Sequence, residues 1–315
     1  NCEKLETVIF PNEEKAEKIE DLSSMFENCK SLKSVDLSFF SYKKLKDTSY
    51  MFSGCKNLAK ILLPTDEKAT SIQDCYEMFS GCSKLTSIDL SKFSFVNLDD
   101  LSYFFNECSS LETIILPQDE IADNINTFDA MFYGCEKLTS INLDNIDFKN
   151  AESLYLMFTY CRKLENINLP TSAKADNIEY YDCMFCVCES LISVDLSNFS
   201  FTKVTSLDGI FAFCNNLQNV ILPKNEIATN VEYISYLFDG CFKLQSIDLS
   251  GISFINMKDI NHIFNNCKNL ETIIFGNDEE IENIEHLEYA FANCHKLVSL
   301  DLSNFYFEKV ENFRI

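Results

Sequence analysis

Apolar positions in this chain follow two rhythms in turn, first i, i+4, i+7 and then every second residue, and the pair of rhythms repeats from end to end. A cysteine marks each repeat. Cys2, Cys29, Cys55, Cys82, Cys108, Cys135, Cys161, Cys188, Cys214, Cys241, Cys267 and Cys294 are separated by alternating steps of 27 and 26 residues. A phenylalanine stands three residues before the cysteine in all eleven complete cases, from Phe26 and Phe52 to Phe264 and Phe291, and a leucine three after it. With a further apolar residue four before the phenylalanine, as at Leu22, Cys75, Leu101, Phe128 and Leu154, the spacing predicts one short amphipathic helix per repeat. Gly or Asn immediately precedes the cysteine in seven of eleven repeats, where a left-handed residue closes a helix.

Beyond the cysteine the period falls to two, as in Leu32-x-x-Val35-x-Leu37 and Leu85-x-x-Ile88-x-Leu90, which predicts a short strand with one buried face. Two kinds of repeat alternate. In one the strand runs into proline, as in Ile114-Ile115-Leu116-Pro117, and proline cannot continue a ladder. In the other it ends Ile88-Asp89-Leu90-Ser91, followed by Phe93-x-Phe95 on a returning segment. The unit is therefore a 53-residue tandem pair. Repeats of this length stabilise one another by stacking, so the expected fold is an α/β solenoid: about twelve repeats, short helices, and one continuous parallel sheet. Unbroken periodicity over residues 1–315 predicts a single array. Both ends follow the interior pattern without a polar cap, which predicts a segment of a longer chain or ends that stack on other copies.

Charge narrows the partners. With 49 acidic against 26 basic residues the net charge is −23, which repels nucleic-acid backbones and anionic lipid. Acidic runs at Asn12-Glu13-Glu14 and Asp278-Glu279-Glu280 read as solvated turns, or as a ridge for a basic partner. No apolar stretch approaches the ~18 residues of a membrane span.

Twelve cysteines in one slot per repeat, flanked by apolar positions, behave as small buried hydrophobes, and parallel side chains on stacked rungs do not converge as a disulfide requires. They are expected to be reduced, with Cys82→Ser more damaging than Cys82→Ala. Cys183, Cys186 and Cys188 are close in sequence, but three local ligands do not complete a zinc site. The three histidines, His262, His286 and His295, form no catalytic spacing, and no glycine-rich phosphate loop is present. Neither enzymatic activity nor a cofactor is expected.

The string Met-Phe-x-x-Cys-x-x-Leu-x-x-Ile-Asp-Leu-Ser-x-Phe, present from Met78 to Phe93 and nearly so from Met25 to Phe40, resembles the repeats of BspA-like leucine-rich-repeat surface proteins over the whole chain. The resemblance implies a cell-surface or secreted location and adhesion to host or matrix proteins. Seven residues after each cysteine, the outward strand column reads Ile9, Asp36, Leu62, Asp89, Ile115, Asn142, Asn168, Asp195, Ile221, Asp248, Ile274, Asp301. Beside it, five after the cysteine, runs a ladder of mostly hydroxyl and amide side chains from Thr7 and Ser34 to Ser299. The first column is the expected protein-binding face, its apolar members giving affinity and its carboxylates orientation. Carboxylates two rungs apart are too distant to share a calcium ion. The other reading is a structural protein whose repeats assemble laterally or end to end into a filament or coat.

Overall fold

The structure is a computed structural model, and it describes residues 1–11, 15–118, 120–171, 174–278, 280–312 and 314. The acidic run at 12–14, Glu279 of the second run, and the terminal residues Phe313 and Ile315 lie outside the described residues. Two units divide the chain: Asn1–Ala151 with Ile167–Ser172, and Glu152–Asn166 with Ala173–Ile315. Each is a parallel β-solenoid of leucine-rich-repeat type.

Ten strands of three residues carry the Leu-x-x-Ile-x-Leu segments: β1 Ser34–Asp36, β2 Lys60–Leu62, β3 Ser87–Asp89, β4 Thr113–Ile115, β5 Ser140–Asn142, β6 Asn166–Asn168, β7 Ser193–Asp195, β8 Asn219–Ile221, β9 Ser246–Asp248 and β10 Thr272–Ile274. The segments of Ile9 and Asp301, first and last of the expected twelve rungs, form no strand. Central residues of the strands face inward, with Val35, Ile88, Val194 and Ile247 buried, and both flanking residues face out.

The expected continuous sheet is instead a series of two-stranded parallel sheets, β1-β2, β3-β4, β5-β6, β7-β8 and β9-β10. Each joins an Asp-type repeat to the Pro-type repeat after it. The opposite junction is made on the returning segment, where the Pro-type repeat bridges to the next Asp-type repeat at Ala16↔Phe40, Ala69↔Phe93, Ala175↔Phe199 and Ala228↔Ile252. Ala69 both donates to the Lys92 carbonyl (2.8 Å) and accepts from the Ser94 N–H (3.0 Å). Strand pairing and return bridging thus alternate from β1 to β10, while the first junction bridges on both sides, at Thr7↔Ser34 as well as Ala16↔Phe40.

The predicted helices are absent among the described residues, and the reason lies in how the backbone N–H groups are used. In the repeat ending at Cys29, Met25 donates to Leu22 (3.3 Å), Cys29 to Phe26 (2.9 Å) and Leu32 to Cys29 (3.0 Å), which are i→i+3 turns placed end to end. Alternate N–H groups leave the rung, while that of Glu27 turns back to Ser24 (3.1 Å). Leu22, Ser24, Phe26 and Asn28 donate to the carbonyls of Asp47, Ser49, Met51 and Ser53 in the following repeat, at 2.7–2.9 Å. Tandem turns bury their first residues at Leu22, Phe26 and Cys29 and the closing Leu32, a spacing of four, three and three that imitates a helix face. The turns before the cysteine use left-handed residues, and each of the eleven complete repeats has two, five and one before its cysteine, for example Tyr50 (φ 55°) and Gly54 (φ 74°). The Gly and Asn positions noted in the sequence are one of these columns. Tyr160 and Val187 occupy it as well, at φ 62°.

Two columns run through the core. Phenylalanine rings stack face to face, Phe26–Phe52–Phe79–Phe105 at 5.4–5.7 Å in the first unit and Phe158–Phe185–Phe211–Phe238–Phe264 at 5.3–5.7 Å in the second. Cysteine thiols accompany them. Cys55 Sγ donates to the Phe26 carbonyl (3.0 Å), Cys82 to Phe52 (3.3 Å) and Cys108 to Phe79 (3.1 Å), and Cys188, Cys214 and Cys241 repeat the contact at 3.1–3.2 Å. Burial pushes the Cys55 and Cys108 thiols up to about 12, so they stay protonated donors and poor nucleophiles.

Candidate functional site

The outward strand column divides chemically into two sets. In the Asp-type repeats the side chain is engaged by its own backbone: Asp36 Oδ1 accepts the Ser38 N–H (2.9 Å), Asp89 that of Ser91 (2.9 Å), Asn142 that of Asp144 (2.9 Å), Asp195 that of Ser197 (2.8 Å), Asp248 that of Ser250 (2.9 Å) and Asp301 that of Ser303 (3.0 Å). These are Asx turns that bend the chain out of the strand. Ser38, through its hydroxyl and its N–H, holds the Asp36 carboxyl below its ordinary range, and Ser303 does the same for Asp301. Burial acts upward on Asp248, but Lys224 and Ser250 outweigh it, and the net direction is down. The column is charged, yet its first duty is to the fold. The recurrent Asp-x-Ser at the strand end is the sequence signal for this role.

The Pro-type strands, with β10 running into Gly276 where the others meet proline, carry the other set, Leu62, Ile115, Ile221 and Ile274, each 44–49 % exposed. No local bond explains them. Register pairs each with an acidic neighbour: Asp36↔Leu62 and Asp89↔Ile115 in the first unit, Asp195↔Ile221 and Asp248↔Ile274 in the second. Four sheets thus present the same couple, a carboxylate beside an apolar side chain about 4.8 Å away. Asn142 and Asn168 take these places in the β5-β6 sheet, and both are exposed. Ile9 is 89 % exposed. The neighbouring column, including Ser34, Lys60, Ser87, Thr113, Ser193 and Asn219, is also exposed and polar.

A second charged feature, on the turn side of the second unit, escaped the sequence reading. Asp208 Oδ1 accepts the Ser235 N–H of the next rung (2.6 Å), and Asp182 Oδ1 accepts the Asp208 N–H (3.0 Å). Burial first, then the carboxylates of Asp182 and Asp259, push the Asp208 carboxyl up to about 6. The unfolded group titrates near 3.9. The folded state therefore binds more protons between about pH 4 and 6, and stability falls as pH rises through that window. Asp208→Asn keeps the Oδ1 acceptor and removes the charge. It is expected to stabilise the protein at pH 7 by roughly 1 kcal/mol after allowance for solvent screening, and not at all below pH 4. Urea unfolding at pH 3.5 and 7 checks it; equal midpoint shifts at both values would contradict the electrostatic origin.

Among the described residues no group of three or more His, Cys, Asp or Glu side chains is placed to hold a metal ion. No helix among them is long and apolar enough to cross a membrane.

Comparison with known proteins follows the same architecture. A family model described as "Mycoplasma protein of unknown function, DUF285" matches residues 4–82, 20–119 and 73–191, and a "BspA type Leucine rich repeat region (6 copies)" matches residues 178–312. No curated protein matches. Among solved structures, the chain is similar to a leucine-rich repeat protein from Bacteroides ovatus, at 21 % identity over 89 % of this chain and 81 % of that one, TM-score 0.37. It is similar to a leucine-rich cell surface protein from Faecalibacterium prausnitzii, at 18 % identity over 81 % and 76 %, TM-score 0.38. An internalin from Listeria monocytogenes has 16 % identity over 89 % and 77 %, TM-score 0.31. With the two family models together spanning residues 4–312, the chain belongs to the BspA-like leucine-rich-repeat family.

Proposed function

We propose that this chain is a non-catalytic scaffold at a cell surface that binds a protein partner through the exposed face of its strands. One observation carries the reading: Leu62, Ile115, Ile221 and Ile274 are half-exposed at equivalent places, while the aspartates beside them have a structural task. Large aliphatic side chains left in water forgo about 1 kcal/mol or more each, which a docked partner recovers. The carboxylates orient that partner and favour one with basic groups between its apolar ones. Family membership supports the surface role, and host or extracellular-matrix proteins are the partners it suggests.

The combined variant Ile115→Asp with Ile221→Asp tests the reading, because both side chains point away from the core. Wild type and variant are compared for binding to a panel of purified matrix proteins, with circular dichroism as the control for folding. Binding is expected to weaken by about tenfold or more at an unchanged spectrum. Undiminished binding would remove the strand face from consideration. Sedimentation on the same samples addresses the other reading: concentration-dependent polymers lost in the variant would make the partner another copy of the chain.

A further inference from the structure

Cys183 and Cys186 stand outside the thiol column of the core. They lie five and two residues before Cys188, in columns that the other repeats of the second unit fill with residues such as Leu156, Gly209 and Tyr236, or Thr159, Ala212 and Asp239. Both are half-buried, whereas Cys188 is fully buried. The two residues open and close a single turn, in which the Cys186 N–H donates to the Cys183 carbonyl at 3.1 Å. A β-turn brings its end Cα atoms within about 7 Å, and a disulfide spans about 4.4–6.8 Å between Cα atoms.

The rung above makes room for the Cys183 sulfur. Its equivalent of Cys183 is Gly209, the only glycine in that column, and a Cβ there would lie 3.1 Å from Cys183 Sγ. Backbone bonds on either side are independent of the thiols. Cys183 and Val187 donate to the carbonyls of Asp208 (2.9 Å) and Ala212 (2.7 Å), and Tyr160 donates to the carbonyl of Cys186 (2.9 Å). A bond between the two sulfurs closes within the turn and leaves this ladder in place.

We propose that Cys183 and Cys186 are a thiol–disulfide pair, closed by exchange with a small dialkyl disulfide, while Cys188 stays a thiol. Cys183 is the attacking sulfur: the neighbouring Cys186 draws its pKa down, with burial and the carboxylates of Asp182 and Asp208 acting against it. Its thiolate attacks one sulfur of the small disulfide, that S–S bond breaks, and one thiolate leaves. Cys186, losing its proton, then attacks the Cys183 sulfur and expels the second thiolate. Two protein thiols are oxidised by two electrons, the small disulfide is reduced to two thiols, and the two protons pass to the departing thiolates. Cys188 does not compete, because its thiol is engaged with the Phe158 carbonyl at 3.1 Å and burial holds it protonated.

The test uses the folded full chain in glutathione buffers of rising oxidised fraction, quenched with acid, denatured, alkylated and digested for mass spectrometry. Peptide-level reading separates this pair from the exposed Cys2. The peptide carrying Cys183, Cys186 and Cys188 is expected to lose two hydrogens and to take one alkyl group, on Cys188. Cys186→Ser is expected to halt at a glutathione adduct on Cys183, and Cys183→Ser to show no closure. Three alkyl groups at every buffer ratio, a bond that includes Cys188, or a wild-type glutathione adduct that never closes would each overturn the proposal. Should either serine variant fail to fold, fragment mapping of the wild-type peptide still gives one of these outcomes.

Discussion

Replacing Phe185 by alanine is expected to destabilise the second unit by about 3–5 kcal/mol, the cost of emptying a fully buried aromatic site. The ring lies between Phe158 at 5.5 Å and Phe211 at 5.7 Å, within 5° of parallel to each, so both stacking contacts go with it. Each rung contacts only the rungs beside it, so coupling along the unit passes through this column together with the turn-side backbone bonds. Amide exchange is therefore expected to speed up on both sides of position 185 and to divide the unit into two segments that open separately. Denaturant unfolding with residue-resolved exchange measures both effects. A loss below about 1 kcal/mol, or exchange that rises evenly over the unit, would show that the ring column does not couple the rungs.

The thiol column gives the second large effect. Cys82 is fully buried and donates to the Phe52 carbonyl at 3.3 Å, so Cys82→Ala removes both volume and a donor, at a cost of about 2 kcal/mol. Seen only as a small hydrophobe, the position predicts that serine is worse than alanine, because a buried hydroxyl without a partner is costly. A carbonyl is in fact in reach. The serine hydroxyl can replace the lost S–H bond, and Cys82→Ser is expected to be no less stable than Cys82→Ala. Chemical denaturation of the two variants ranks them. A serine variant less stable than the alanine variant would mean that the shorter C–O bond cannot reach Phe52.

Much of this architecture was legible in the chain: the period, the identity of the core columns, the inward strand residues such as Val35 and Ile88, and the exposure of Leu62 and Ile221. Misreading came where two local structures share one spacing. Leu22, Phe26 and Cys29 are separated as on a helix, but the left-handed residues at 24 and 28 divide the segment into turns, and only the second of those columns is rich enough in Gly and Asn to announce itself. Continuity of the sheet was equally hidden. Alternation of 26- and 27-residue steps signals two kinds of junction, but not that one is made by strands and the other on the return. At the candidate site the column positions were readable, whereas the local task of Asp36 or Asp195 depends on a turn that only coordinates reveal. Cys183 and Cys186 were visible as extra cysteines, and it was their shared turn, not their spacing, that gave them meaning.

The alternation of junctions also limits how such a chain can lengthen. An Asp-type rung offers its strand to the rung above and its return segment to the rung below, and a Pro-type rung does the reverse. Gene duplication of one rung would set two of a kind against each other, with two strand seekers or two return seekers meeting and the turn-side bonds left to join them. Duplication of a 53-residue pair reproduces both junctions at each new boundary. The whole-pair repetition along this sequence fits that constraint.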